Sequence, residues 1–116
     1  MFVKILKSKL HRARVTETKL HYPGSIAIDS ALIEAAGILP YESVLVADLS
    51  NGNRLQTYVV PAEAGSGKIV ILGAAARLIK AKDIVIILSF ALFTPEEAKE
   101  FKPKIVVLNE NNKILK

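Results

Sequence analysis

The apolar and polar positions of this chain mostly keep the period of two that marks a half-buried strand. From Phe2 to Val15, the apolar Val3, Ile5, Leu6 and Leu10 are interleaved with Lys4, Lys7, Lys9, Arg12 and Arg14. That predicts one long strand, or two short ones broken near Ser8. Thr16–Lys19 is polar and reads as a turn. Ser25–Asp29 alternates again and predicts a strand. Asp29 then caps a short helix, Ser30–Ala36, which Gly37 closes. Val44–Leu49 and Arg54–Val60 flank Asn51-Gly52, a strong hairpin signal, and Pro61 is predicted to end the second strand. After a loop at Glu63–Gly67 come a strand at Lys68–Leu72 and a small-residue turn at Gly73–Ala76. Asp83–Phe90 is almost unbroken in apolar residues and is predicted to be the most buried strand. Thr94-Pro95-Glu96-Glu97 is a capping box with proline at the first helical position, which predicts a helix to about Phe101. Lys104–Leu108 is a last strand, and the polar Asn109–Lys116 is predicted to fray.

Six or seven short strands, two short helices and turns roughly every eight to twelve residues predict a small, mainly β barrel. The 116 residues suffice for one domain. Aromatic residues are few and tryptophan is absent, so the core must be aliphatic.

Composition narrows the chemistry. With no cysteine, disulfides, thiolate metal sites and cysteine nucleophiles are excluded. His11 and His21 have no acidic partner nearby in sequence, so no metal site is expected. There is no P-loop, no G-x-G-x-x-G and no G-x-S-x-G elbow. No signal peptide is visible, and the longest apolar run, Ile84–Leu88, is far too short to span a bilayer. A cytoplasmic protein with no membrane partner is expected. The net charge of +5 suits nucleic acid or a small anion. It is spread along the chain rather than gathered in a stripe, which argues against nucleic acid. A non-enzymatic basic barrel that binds nucleic acid or another anion is the alternative reading.

One stretch offers an unusual reaction. In Leu20-His21-Tyr22-Pro23-Gly24-Ser25, the glycine stands at a tight entry to the Ser25–Asp29 strand. A serine Oγ can attack the carbonyl of the residue before it and move the acyl group from nitrogen to oxygen. Glycine favours the attack because it lacks a Cβ and tolerates strained backbone. The ester can eliminate to a dehydroalanine, and hydrolysis then leaves a pyruvoyl group on the new N-terminus.

Other residues could serve a site. Arg54 and Tyr58 share one face of a regular strand, and Thr57 faces the other way. Either the strand is bulged there or its two faces serve different things. A tyrosine phenol is protonated at neutral pH and can act as an acid. Lys9 supplies a cation. The small side chains at Gly73, Ala74 and Ala75 let backbone N–H groups reach a ligand.

As an ordered set these motifs resemble the pyruvoyl-dependent aspartate decarboxylases. The set runs through Lys9-Leu10-His11-Arg12, Leu20-His21-Tyr22, Gly24-Ser25, Ala27-Ile28-Asp29, Ala35-Ala36-Gly37-Ile38-Leu39 and Asn51-Gly52. It continues through Arg54, Thr57-Tyr58, Ala62-Glu63, Gly65-Ser66, Gly73-Ala74-Ala75-Ala76 and Asp83–Ile87. The similarity extends from about residue 1 to about residue 103.

The resemblance implies a double-psi β-barrel that assembles as a homotetramer with active sites between subunits. It implies a proenzyme that cuts itself between Gly24 and Ser25 into a β chain, 1–24, and an α chain, 25–116. Ser25 would become the pyruvoyl group that holds L-aspartate as a Schiff base, with no metal and no pyridoxal phosphate. Tyr58 would be the proton donor. Thr57, Gly73, Ala74, Ala75, Arg54 and Lys9 would bind substrate, and Thr57 with Gly24 would also assist processing. Two positions depart from the family pattern. Leu72 stands where an asparagine is expected, which bears on the rate of self-cleavage. Pro23 stiffens the approach and removes an N–H.

Overall fold

The computed structural model describes residues 1–116. Eight strands pair in the order β2-β6-β3-β5-β4-β7-β1-β8. They are β1 (Val3–Arg14), β2 (Glu17–Lys19), β3 (Ile26–Asp29), β4 (Ser43–Asp48), β5 (Arg54–Ala62), β6 (Ile69–Leu72), β7 (Ile84–Phe93) and β8 (Lys104–Val107). Two short α-helices, α1 (Ser30–Ala36) and α2 (Pro95–Glu100), and a 3-10 turn over Gly73–Arg77 complete the chain. This is the small, mainly β barrel that the alternation predicts, with one strand more than expected. Glu17–Lys19, read as a turn, runs parallel to β6, with Thr18 opposite Ile71.

The aliphatic core draws on every strand except β2. Leu10, Ala13, Ile26, Ile28, Val44, Val46, Val59, Ile69, Ile71, Val85 and Ile87 are all fully or almost fully buried, and Leu32, Ile33 and Ala36 of α1 close one side. The long first strand is continuous. Its register against β7 shifts between Leu6 and Ser8 and again between Leu10 and Ala13. The break expected near Ser8 is therefore a bulge, which bends the strand without ending it.

Three other expectations are corrected. Asp83–Phe90 is not the most buried strand: β7 alternates buried and half-buried residues, whereas all four residues of β6 are buried. An unbroken apolar run cannot distinguish two covered faces from one. Pro61 does not end β5, which continues to Ala62 alongside β3. On the other edge, Val59 bonds to Tyr41 and Glu42, and the β4 ladder has already stopped at Tyr58. Pro61 thus has no strand opposite its missing N–H. The tail does not fray. Leu108 bridges Ile114, Val107 N–H donates to Lys116, and the buried Asn112 side chain bonds the N–H and C=O of Arg14 and the C=O of Gly67.

The caps form as predicted. Asp29 Oδ1 accepts from the N–H of Ala31 and Gly37 closes α1 at φ 71°. Thr94 and Glu97 exchange both capping-box bonds.

Candidate active site

Gly24 and Ser25 form the corner from which β3 starts. Both have positive φ, 134° and 94°. Glycine adopts such a φ freely, but for serine it is an outlier that costs about 1–3 kcal/mol. The surrounding structure holds the outlier in place. From Ile26 onward the chain is locked between two strands, with Ile26 opposite Val59 on parallel β5 and opposite Ile71 on antiparallel β6. Leu72 N–H donates to the Ser25 carbonyl at 3.0 Å. At the far end of β3, Asp29 takes three backbone N–H donors, from Ala31, Gly65 and Gly67, at 2.9, 3.0 and 2.9 Å. Burial works against the charge on Asp29. The donors from Gly67, Ala31 and Gly65 and the nearby Lys113 outweigh it and hold the carboxyl below its ordinary range. The strand bearing Ser25 is thus pinned at both ends.

Ser25 itself is buried, 4% exposed, and lines a cavity of about 320 Å³. Pro23, Gly24, Leu55, Gln56, Thr57, Leu72, Ala74, Ala75 and Leu78 form the rest of its wall. No charged side chain is among them. A charge formed here would find a poorly solvating wall and a few fixed dipoles, where any aligned donor acts strongly.

The sequence-predicted residues divide into two groups. Ser25, Gly24, Thr57, Ala74 and Ala75 meet in the cavity. Gly73 does not line it. It lies behind the corner, against the backbone of Tyr22 and Gly24. Arg54, Tyr58 and Lys9 do not line it either. β5 pairs with β4 in unbroken register, from Ala47 opposite Arg54 to Ser43 opposite Tyr58, so no bulge turns them inward. Arg54, Gln56 and Tyr58 are exposed while Leu55 and Thr57 are half-buried; of the exposed three, only Gln56 borders the cavity. Tyr58 rests near Tyr41, ring centres 6.4 Å apart. Lys9 sits in β1 between Leu88 of β7 and Ile105 of β8. Its neighbour His11 is held below the ordinary histidine range by burial first, then by the charges of Lys9 and Arg12.

Leu55, Gln56 and Leu78 also line the cavity and are not singled out in the sequence. Leu55 could have been, since it shares the Thr57 face by the period of two. Leu78 carries no such signal, because a 3-10 turn brings it to the cavity. No group of three or more His, Asp or Glu side chains stands close enough to hold a metal ion. No helix is long and apolar enough to cross a membrane.

The chain is similar to known proteins along almost its whole length. The family model described as aspartate decarboxylase matches residues 1–115. The aspartate 1-decarboxylase of Acetivibrio thermocellus is 54% identical over 115 residues, 99% of this chain and 91% of that protein. Those of Listeria monocytogenes and Bacillus licheniformis are 53% and 50% identical, each over 98% of this chain and 90% of the relative. These similar proteins are named as decarboxylases, and nothing among them supports the alternative of a non-enzymatic basic barrel.

Proposed function

The chain belongs to the aspartate decarboxylase family, and we propose how its own residues carry that chemistry. The reaction is the loss of CO2 from L-aspartate to give β-alanine, which feeds pantothenate and coenzyme A biosynthesis. The enzyme is a carboxy-lyase, read here as cytoplasmic.

The first event is self-cleavage. Ser25 Oγ bonds to the Gly24 carbonyl carbon, the bond from that carbon to the Ser25 nitrogen breaks, and the hydroxyl proton passes to the nitrogen. Loss of the Ser25 Cα proton then expels the Gly24 carboxylate and leaves a dehydroalanine. Water replaces the amine, ammonia departs, and a pyruvoyl group remains at position 25. The strained φ of Ser25 favours the first step by raising the energy of the peptide that must break. Thr57, another residue of the cavity wall, would assist it. The cavity fits such a group: it is small, uncharged and lined by the residue that would become it.

When formed, the pyruvoyl carbonyl supplies the electron sink that a carbanion at the substrate Cα requires, a role more often filled by pyridoxal phosphate. No metal enters this reading. Thr57, Ala74 and Ala75 bind substrate from the cavity wall, the alanines through backbone that only a methyl group shields, whereas Gly73, expected with them, stands behind the corner. Tyr58 returns a proton to Cα after CO2 leaves. Arg54 grips a carboxylate with its two-pronged guanidinium, and Lys9 offers the second cation.

Aspartate brings two carboxylates to a cavity whose wall has no cation, while the cations of this chain's own set lie elsewhere. We therefore read the active site as shared between copies, with one chain contributing the Ser25 cavity and its neighbour contributing outward-facing residues. A homotetramer satisfies this, as the family resemblance implies.

The observation that carries the reading is the positive φ of Ser25 in the wall of the cavity. Intact-mass spectrometry of purified protein tests it. The expected result is two chains, residues 1–24 and 25–116, the larger blocked at its N-terminus. Ser25→Ala is expected to remain one inactive chain. A fully intact parent chain that decarboxylates aspartate would overturn the reading.

A further inference from the structure

The corner Leu72-Gly73 touches the residues on either side of the Gly24–Ser25 bond. On one side, Leu72 N–H holds the Ser25 carbonyl at 3.0 Å. On the other, Gly73 is packed so closely that an added Cβ would stand 2.8 Å from Gly24 Cα, 2.8 Å from Tyr22 O and 2.9 Å from Gly24 N. All three are backbone atoms, so no side-chain rotation relieves the contact. Gly73 also has φ 78°, and it starts the 3-10 turn that brings Ala74 and Ala75 to the cavity. No such contact exists on the other face of Gly24, where an added Cβ would meet nothing within 4 Å.

We propose that Gly73 is the positioning residue for self-cleavage, the back wall against which the peptide is held in its strained conformation. The proposal rests on the reading of Gly24–Ser25 as the scissile bond. The N–H of Leu72 and the bare Cα of Gly73 together form a clamp. The hydrogen bond fixes the carbonyl after the bond to be broken, and the close packing fixes the nitrogen and Cα before it. A methyl group at position 73 cannot enter without shifting the backbone of Tyr22 and Gly24. That displaces the carbonyl carbon from the attacking Ser25 Oγ. A misplacement of about 1 Å can cost a reaction about 10²-fold. Gly73 acts before any substrate binds, in a step distinct from decarboxylation.

The test compares Gly73→Ala with Gly65→Ala. Gly65 has nearly the same backbone, φ 81°, but nothing within 4 Å of an added Cβ, so the two variants share the cost of the conformation and differ in the contact. Freshly purified proteins are followed by intact mass, with the thermal transition as a check of folding. The expected outcome is that Gly65→Ala is cut at the parent rate, while Gly73→Ala folds and is cut about 10²-fold more slowly or not at all. Mild neutral hydroxylamine, which opens esters, supplies the second readout. It is expected to release no 1–24 fragment from Gly73→Ala, because the chain is stopped before the acyl shift. That fragment differs in mass from any product cut at Asn51-Gly52.

Cleavage of Gly73→Ala at the parent rate overturns the proposal. An ester that accumulates and yields to hydroxylamine also overturns it, because the block then lies at elimination. An unfolded Gly73→Ala beside a folded Gly65→Ala assigns Gly73 to the fold instead. A parent chain that is never cut removes the scissile bond itself, and the proposal falls with it.

Discussion

Thr57 and Tyr58 are consecutive in β5 and stand on opposite faces of it. Thr57 lines the cavity with Ser25, while Tyr58 is 39% exposed beside Tyr41. No bulge intervenes, because the register against β4 is regular throughout. Along β5, Thr57 therefore lines the Ser25 cavity, whereas Tyr58 and Arg54 are exposed away from it.

If the outward residues complete a neighbour's cavity, two inactive variants should rescue each other. Ser25→Ala lacks the group in the cavity wall but keeps Arg54. Arg54→Ala keeps the cavity but lacks the cation. Co-expressed and purified as mixed assemblies, they are expected to show decarboxylation that neither shows alone. Mixed assemblies as inactive as the single variants would place both residues in a site made by one chain.

Tyr58→Phe deletes one hydroxyl and keeps the ring beside Tyr41. Chain cutting is expected to proceed, and decarboxylation to fall by about 10²–10⁴, the usual contribution of a positioned acid. Measured turnover equal to that of the parent would remove Tyr58 from the proton-transfer role.

Arg54→Lys retains the charge and loses the paired donors that match a carboxylate. Aspartate binding is expected to weaken by about 1–3 kcal/mol, the range for a charge-assisted hydrogen bond. The effect should appear in KM, and an unchanged KM would assign Arg54 to the structure.

Stability should fall on the acid side. Asp29 and Glu42 both have carboxyls below their ordinary range. Burial opposes this in each. For Asp29 the backbone donors prevail, and for Glu42 the N–H of Leu39 with Lys7 and Ser89 prevails. A depressed pKa means the folded state holds its protons less tightly than the unfolded one. Their contribution is thus complete above the ordinary carboxylate range and is lost as pH falls through the depressed values. Asp48 opposes this trend. Burial, followed by neighbouring Asp83, holds its carboxyl up, so its contribution is largest in acid. Asp29→Asn is expected to destabilise the protein at neutral pH by about 1–3 kcal/mol and to flatten the acid limb of a Tm-against-pH curve. An acid limb as steep as the parent's would show that Asp29 does not carry it.

Much of the fold was legible because its signals are local. Alternation marked seven strands, and Asp29, Gly37 and Thr94–Glu97 announced their caps through side chains acting within one helical turn. What failed was decided by partners distant in sequence. Glu17–Lys19 has no pattern of its own and becomes a strand because β6 lies beside it. The tail is held because Asn112 finds Arg14 and Gly67. The burial of β6 and the half-exposure of β7 depend on what covers each face, which periodicity does not report.

For the site, the chain alone determined the chemistry it can attempt. A glycine-serine pair at a strand entry, a carboxylate-matching arginine and a tyrosine acid are readable as residue types in order, and that order also marks the family. It left open whether Thr57 and Tyr58 act on one face, because a single bulge would have reversed the answer. Tertiary structure decided that question through the unbroken β4–β5 ladder. It also decided that Ser25 sits at positive φ, because the pairing of Ile26 with β5 and β6 and the Leu72 N–H on the Ser25 carbonyl hold it there. Backbone strain at one residue is imposed by everything packed around it, and no local stretch of sequence contains that.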